Sequence, residues 1–213
     1  MTTATRGHDA RTRQALERAA ALLPPGERLA GAHHTGLFDR MPRPRRKRCP
    51  VVFQGKRMPG DRLARFLGFA LLVASIEWKP VDAAVEAVTE RERFKGQPFF
   101  GGWDSLAGQL AGALRPRAKT GVETVLLLTD RKMHVAYLQH SLLTRRLGSQ
   151  AAPGWSVDLG QLAWVRDRSD LRGGTHEIGF VDGSWATVRF TGSGWSSFAG
   201  LFPRRLSHLD PIP

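Results

Sequence analysis

The spacing of apolar positions changes near Gly121. Before it they recur at helical intervals, and after it they alternate. Residues 11–23 put Leu16, Ala19, Ala20 and Leu23 on one face ahead of Pro24-Pro25, which predicts a helix. A strand candidate follows near Arg28–His34. Residues 61–78 are apolar nearly all round and predict a second helix. Such a helix is ordinarily buried; its alternative is to lie on a membrane or a partner. Pro80 opens a further predicted helix over 80–93, with Val81, Ala84, Val85 and Val88 on one face. Another is predicted over Asp104–Leu114, closed by Pro116.

From Gly121 onward the period is two. "VETVLLLTDRKMHVAYL" reads as a hairpin around Asp130-Arg131, with Leu128 opposite Met133 and Leu126 opposite Val135. Residues 139–154 read as a connection, followed by short strands near Trp155–Asp158 and Gln161–Arg166. "THEIGFVDGSWATVRF" reads as a second hairpin. Ile178 and Phe180 share a face with Ala186, Val188 and Phe190 only if the loop has an odd length. A three-residue loop with Gly183 in the left-handed region satisfies this. Trp195, Phe198, Ala199 and Phe202 fall at i, i+3, i+4 and i+7 and predict a C-terminal helix over Ser193–Phe202.

Charge is unevenly placed on this frame. The 213 residues carry a net charge of +13. Residues 40–65 hold ten basic residues against the single acid Asp61, a local charge of +9, and the other 187 residues share +4. The stretch "MPRPRRKRCP" at 41–50 is its centre. Pro42, Pro44 and Pro50 interrupt regular structure and the like charges repel, so 39–60 is expected to be an exposed, poorly ordered loop. Its candidate anion-binding residues are Arg43, Arg45, Arg46, Lys47, Arg48, Lys56 and Arg57. Such a run keeps a loop solvated, attracts an anionic membrane at about 1 kcal/mol per cation, or grips phosphates of nucleic acid. The run carries no interleaved aromatic to stack a base, which counts against nucleic acid.

Candidate chemistry adds little. The single cysteine, Cys49, excludes an intrachain disulfide and a cysteine-based zinc site. His33 and His34 are adjacent on the strand candidate and face opposite ways, and His134 and His140 lack a carboxylate at ligand spacing. No catalytic residue, metal site or cofactor is therefore expected, and the chain reads as non-enzymatic. The N-terminus has no apolar signal core, and the longest apolar run, 66–76, has 11 residues where a membrane span needs about 20. The expected place is the cytoplasm, with peripheral attachment at the inner face of the membrane.

With the strand near Arg28–His34 the pattern counts seven strands and a final helix. "LLLTDRKMHV" resembles the recurring hairpin of bacterial pleckstrin-homology-like (PH-like) domains of the actinobacterial type. "VDLGQLAWVRDRSDLRGGTHEIGFVDGSWATVRF" resembles their last three strands. The resemblance covers residues 120–206. It implies an α+β fold: a seven-stranded antiparallel barrel with a C-terminal capping helix and a helical insertion. The chain then divides into an N-terminal helix and first strand (1–38), a basic Pro-rich loop (39–60), the helical insertion (61–116) and the barrel with its helix (120–206). In PH domains that bind phosphoinositides, cations between strands one and two meet the lipid, and the basic run takes that place here. The resemblance thus implies an intracellular adaptor that binds a protein partner or an anionic membrane surface. A basic nucleic-acid-associated protein is the alternative.

Overall fold

A computed structural model of the chain describes residues 3–54, 57–64, 66–67, 98–171, 173–191 and 195–213, apart from the side chains of residues 3–9 and Trp195. Both hairpins form. Strands β3 (Gly121–Thr129) and β4 (Lys132–His140) pair antiparallel with Leu128 opposite Met133 and Leu126 opposite Val135, in the expected register. The Thr129 hydroxyl accepts from the Arg131 and Lys132 amides (3.2 and 2.8 Å) and so closes the turn.

In the second hairpin Phe180 N–H donates to Ser184 O at 2.9 Å, leaving a three-residue loop, and Gly183 has φ +77°. A side chain there would be strained, which is why the turn needs glycine. This loop keeps Ile178 and Phe180 on the same face as Ala186, Val188 and Phe190, all buried together with Phe198. The loop also caps a helix that lies far away in sequence. Asp182 accepts from the Leu106 amide (2.9 Å) and Ser184 Oγ from the Ala107 amide (3.1 Å), at the N-terminus of α2 (Leu106–Ala113).

Strand β1 (Leu29–Leu37) joins the two halves. Leu29–His34 pairs with β3, and Thr35–Leu37 pairs with β8 (Trp185–Phe190). The inner faces of both halves thereby share one core, which α2 and Phe202 complete. On the outer face of β3 and β4, Val125, Leu127, Ala136 and Leu138 pack against Ala15 and Ala19 of α1 (Thr3–Ala20). That helix starts ahead of the predicted Arg11 and ends before Pro24-Pro25.

The closed PH-like barrel is not what forms. The fold is predominantly β: one open mixed sheet of nine strands, ordered β5-β4-β3-β1-β8-β7-β6-β9, with the two-residue β2 (Phe99–Phe100) attached to β8. Strand β5 (Leu147–Asp158) lies at one end; β6 (Leu162–Asp167) and β7 (Thr175–Phe180) belong to the other half. Closure of the expected seven strands is forestalled in two ways. A single 3-10 turn, Leu159–Gln161, carries the chain from β5 to β6 without pairing them. The outer edge of β6 is instead taken by β9 (Arg205–Leu206), in parallel register. Among the described residues the predicted C-terminal helix is α3 (Trp195–Ala199), which ends short of Phe202, although Phe198, Ala199 and Phe202 are buried as expected. Residues 147–154, expected to be a connection, are the first part of β5. The segment 61–116 is not wholly helical, because β2 interrupts it. Most of the predicted helix 61–78 and all of 80–93 lie outside the described residues.

Candidate anion-binding site

The basic run is tied down rather than loose. Buried Met41 and Val52 anchor the segment on the core. Val52 N–H donates to Arg117 O (2.9 Å) and Arg117 N–H to Pro50 O (2.7 Å), a two-sided backbone clasp. Between the anchors, Arg46–Arg48 form one 3-10 turn. Its close approach to α2 depends on Gly112, where a Cβ would stand 2.7 Å from Arg48 O. The Arg48 guanidinium is bidentate on Asp104 (2.6 and 3.0 Å) and donates to Trp103 O (2.7 Å). Proline does forbid long regular structure here, but the clasp and this ion pair supply the order that local sequence lacks.

The structure sorts the candidate cations. Arg46 lines a cleft of about 550 Å³ together with Arg117 and Lys119. Arg57 lines a second cleft, about 650 Å³, together with Arg62 and the same Lys119. Arg43 and Arg45 are exposed and line neither. Lys47 and Arg48 border a third groove, and Lys56 lies outside the described residues. Arg62, Arg117 and Lys119 were not among the sequence candidates. The signal for two of them was present: in "RPRAK" the basic residues Arg115, Arg117 and Lys119 alternate just before β3.

No carboxylate is among the described residues lining either cleft. The one acid of the basic segment, Asp61, is turned inward at 1% exposure, accepting from the Met58 and Leu142 amides (3.0 and 2.9 Å). Like charges held this way, with the local counter-charge facing elsewhere, concentrate a positive potential that an anion relieves. Beside this cleft, Leu63, Phe66 and Leu67 lie at i, i+3 and i+4 and are 54%, 69% and 43% exposed. The start of the apolar helix is thus not buried, contrary to the ordinary expectation for such a sequence.

The third groove, about 640 Å³, runs between the basic segment, α2 and β5. Phe53, Trp103 and Trp155 line it, with Cys49 in its wall. Phe53 holds φ +52°, a conformation that costs a bulky residue about 1–2 kcal/mol. The aromatics missing from the basic run in sequence are therefore beside it in space.

The histidines are engaged elsewhere. His33 faces Phe190 and Phe198, while His34 Nδ1 lies 2.8 Å from Glu123, which also pairs with Arg11 of α1. His134 does have a carboxylate partner: Glu27, 2.7 Å from Nε2, reaches it from a distant part of the chain. Glu27 also accepts from the Thr129 hydroxyl at 2.8 Å. The carboxylate stands between hydroxyl and imidazole, so the trio fastens the turn and gives the imidazole no hydroxyl to deprotonate. Among the described residues no three His, Cys, Asp or Glu side chains gather to hold a metal, and no helix is long and apolar enough to cross a membrane.

These groups contribute to the acid response, together with Asp104, Asp170, Asp182 and Asp210, whose carboxyls are also held below their ordinary 3.8 by hydrogen bonds. The His134 hydrogen bond holds the Glu27 carboxyl below its ordinary 4.5. Burial alone would raise Glu123, but the His34 imidazole and the Arg11 guanidinium, each 2.8 Å away, outweigh it and hold that carboxyl below 4.5 as well. Burial pushes His176 below its ordinary 6.5. The unfolded chain then takes up each proton first, so stability falls as pH is lowered. His176 contributes fully above 6.5 and loses its contribution down to its folded value; the two carboxylates act likewise below 4.5. Melting temperature followed from about pH 8 to about pH 3 should decline in these two stages. His176→Phe should flatten the first stage and leave the second, and an unchanged first stage would assign it to another group.

No protein-family model, curated protein or solved structure matches the chain.

Proposed function

We propose that the protein is a non-enzymatic binding protein that docks peripherally on the anionic head-group layer at the inner face of the membrane. One observation carries this reading. Arg57, Arg62 and Lys119 converge on a cleft whose chain continues directly into the exposed apolar stripe Leu63, Phe66 and Leu67. Cations meeting phosphates beside apolar side chains meeting acyl chains is the layout of an interfacial helix. Exposed Leu143, whose side chain stands beside Gly60, widens the apolar side. A binding role rather than a catalytic one fits the imidazole–carboxylate pairs, which fasten turns and strands together.

The test is co-sedimentation with vesicles rich in an anionic phospholipid. Arg57→Ala with Arg62→Ala removes two cations at about 1 kcal/mol each, so binding should weaken roughly thirtyfold while the melting temperature stays put. Leu63→Ser with Phe66→Ser should weaken binding even at high salt, where charge is screened. Wild type that does not sediment, or variants that sediment equally, would remove the membrane role. If the cation variant instead loses affinity for DNA or RNA, nucleic acid takes its place.

A further inference from the structure

The aromatic groove is a second site, distinct from the surface proposed to meet the membrane. Its two indoles are fixed in place. Trp103 stacks on Phe99 (centroids 5.1 Å apart, 24° between planes). Trp155 stands edge-on to Phe180 (6.3 Å, 81°), and its Nε1–H donates to Gln109 Oε1 at 3.1 Å. Gln109 Nε2 in turn donates to Asp104 O at 3.1 Å. The polar edge of Trp155 is therefore satisfied inside the protein, so its part of the groove lining is apolar aromatic surface. Both indoles and Phe53 also pack on the core, so a guest does not have to order them.

Charge selects the guest further. Lys47 stands at the groove, Arg48 beside it is committed to Asp104, and no carboxylate is among the groove's described lining. Through Val51, Val52 and Phe53, which line both, the groove adjoins the cleft of Arg46, Arg117 and Lys119. A planar ring lying in the groove thus has cations within reach of any anionic group it carries. An added peptide strand fits less well, because Pro153 sits in the groove wall on end strand β5 and has no N–H to donate.

We infer that this groove binds a nucleobase with its phosphate, the base against Trp155 and Trp103 and the phosphate toward Lys47 and Arg46. Stacking on fixed aromatic faces beside a cationic track is sequence-tolerant recognition of bases. The guest is either a free nucleotide or a nucleotide within a single strand. The inference stands apart from the membrane reading, which uses Arg57, Arg62 and the stripe of Leu63, Phe66 and Leu67.

The test uses the full chain at low salt with two probes, adenosine monophosphate and a short single-stranded oligoadenylate. Binding is read by equilibrium dialysis for the first and by fluorescence anisotropy of the labelled strand for the second. Either probe should also slow alkylation of Cys49, the single cysteine and part of the groove wall. Lys47→Glu, an exposed change, should weaken binding at least tenfold, and Trp155→Leu should abolish it while Trp155→Phe retains part. Arg57→Ala with Arg62→Ala should leave the monophosphate unaffected. Monophosphate binding comparable to the strand's identifies a free nucleotide. Strand binding far tighter and steeply salt-dependent identifies nucleic acid. Failure of both probes to bind, or binding that Lys47→Glu leaves unchanged, overturns the inference, and neither result bears on vesicle binding.

Discussion

Replacing Glu177 with Ala should lower folding stability by about 3 kcal/mol. The carboxylate is completely buried in β7. Arg168 Nη1 donates to one of its oxygens and Arg166 Nη1, at 3.3 Å, to the other. Taking the acid away leaves two guanidinium groups, themselves only 14% and 13% exposed, without the charge they are buried against. That situation ordinarily costs about 3–5 kcal/mol. The lower end applies because each arginine keeps other acceptors. Arg168 remains paired with Asp170 (3.0 Å), and Arg166 still donates to Ser207 O and His208 O. Urea denaturation at neutral pH measures the loss. Replacing Glu177, Arg166 and Arg168 together with Leu should recover part of it, since a buried ion cluster exchanged for apolar residues is close to neutral while the Arg166 bonds to Ser207 O and His208 O are still lost. A loss under about 1 kcal/mol for the single change would mean that both arginines swing out to water. The same cluster explains how the C-terminal segment is held: Arg166 is its clamp, next to the parallel pairing of β9 with β6.

Which elements the sequence discloses depends on where their cause lies. The β3–β4 and β7–β8 hairpins are legible because alternation and turn chemistry are written into the same few residues. Thr129 closes one turn and Gly183 the other. The first part of β5 is not legible. "LGSQAAPG" has no apolar alternation, and it is a strand because β4 supplies it with partners: Tyr137 faces Ala152 and Leu138 faces Ala151. Two-residue β9 is likewise a product of the edge it lies on. Seven strands in hairpins are compatible with both a closed barrel and an open sheet. The choice is made by long-range edge pairing, to which no local pattern refers.

The site divides in the same way. The basic run is plain in sequence, yet its members have different fates. Arg48 is spent on Asp104, an acid that reads as the start of a predicted helix, while Arg46 and Arg57 reach clefts completed by Arg117 and Lys119. Trp103 and Trp155 come from a loop and an end strand, and only the packing of α2 against β5 sets them on either side of one groove. Glu27 and His134 show the limit of spacing arguments. The residues around His134 in sequence offer no such carboxylate, because its partner Glu27 precedes β1 and is delivered by the pairing of β1 with β3 and of β3 with β4.

Phe190 tests the register that holds the two halves together. Phe190→Ala should destabilise the protein by about 3–5 kcal/mol, the range for emptying a buried phenylalanine site. The ring is 2% exposed and packs against three elements besides its own. Its centroid is 5.5 Å from His33 of β1, 5.1 Å from His176 of β7 and 5.3 Å from Phe198 of α3, the last in an edge-on arrangement, while its own strand is β8. Neighbours drawn from separate elements collapse poorly into a cavity, which argues for the upper part of the range. The residue is on this face only because the hairpin loop has three residues; a two-residue turn would put it on the outer face. Phe100→Ala, on the exposed end of β2 at 54% exposure, is the matched control and should change stability by no more than about 0.5 kcal/mol. In a double-mutant cycle Phe190 and Phe198 should couple by about 0.5–1.5 kcal/mol, as edge-on aromatic pairs do. Urea denaturation of the wild type, Phe190→Ala, Phe198→Ala, their double variant and Phe100→Ala gives all these values. Equal, small losses for Phe190→Ala and Phe100→Ala would mean that β8 pairs in the other register, and the shared core of the two halves would have to be redrawn.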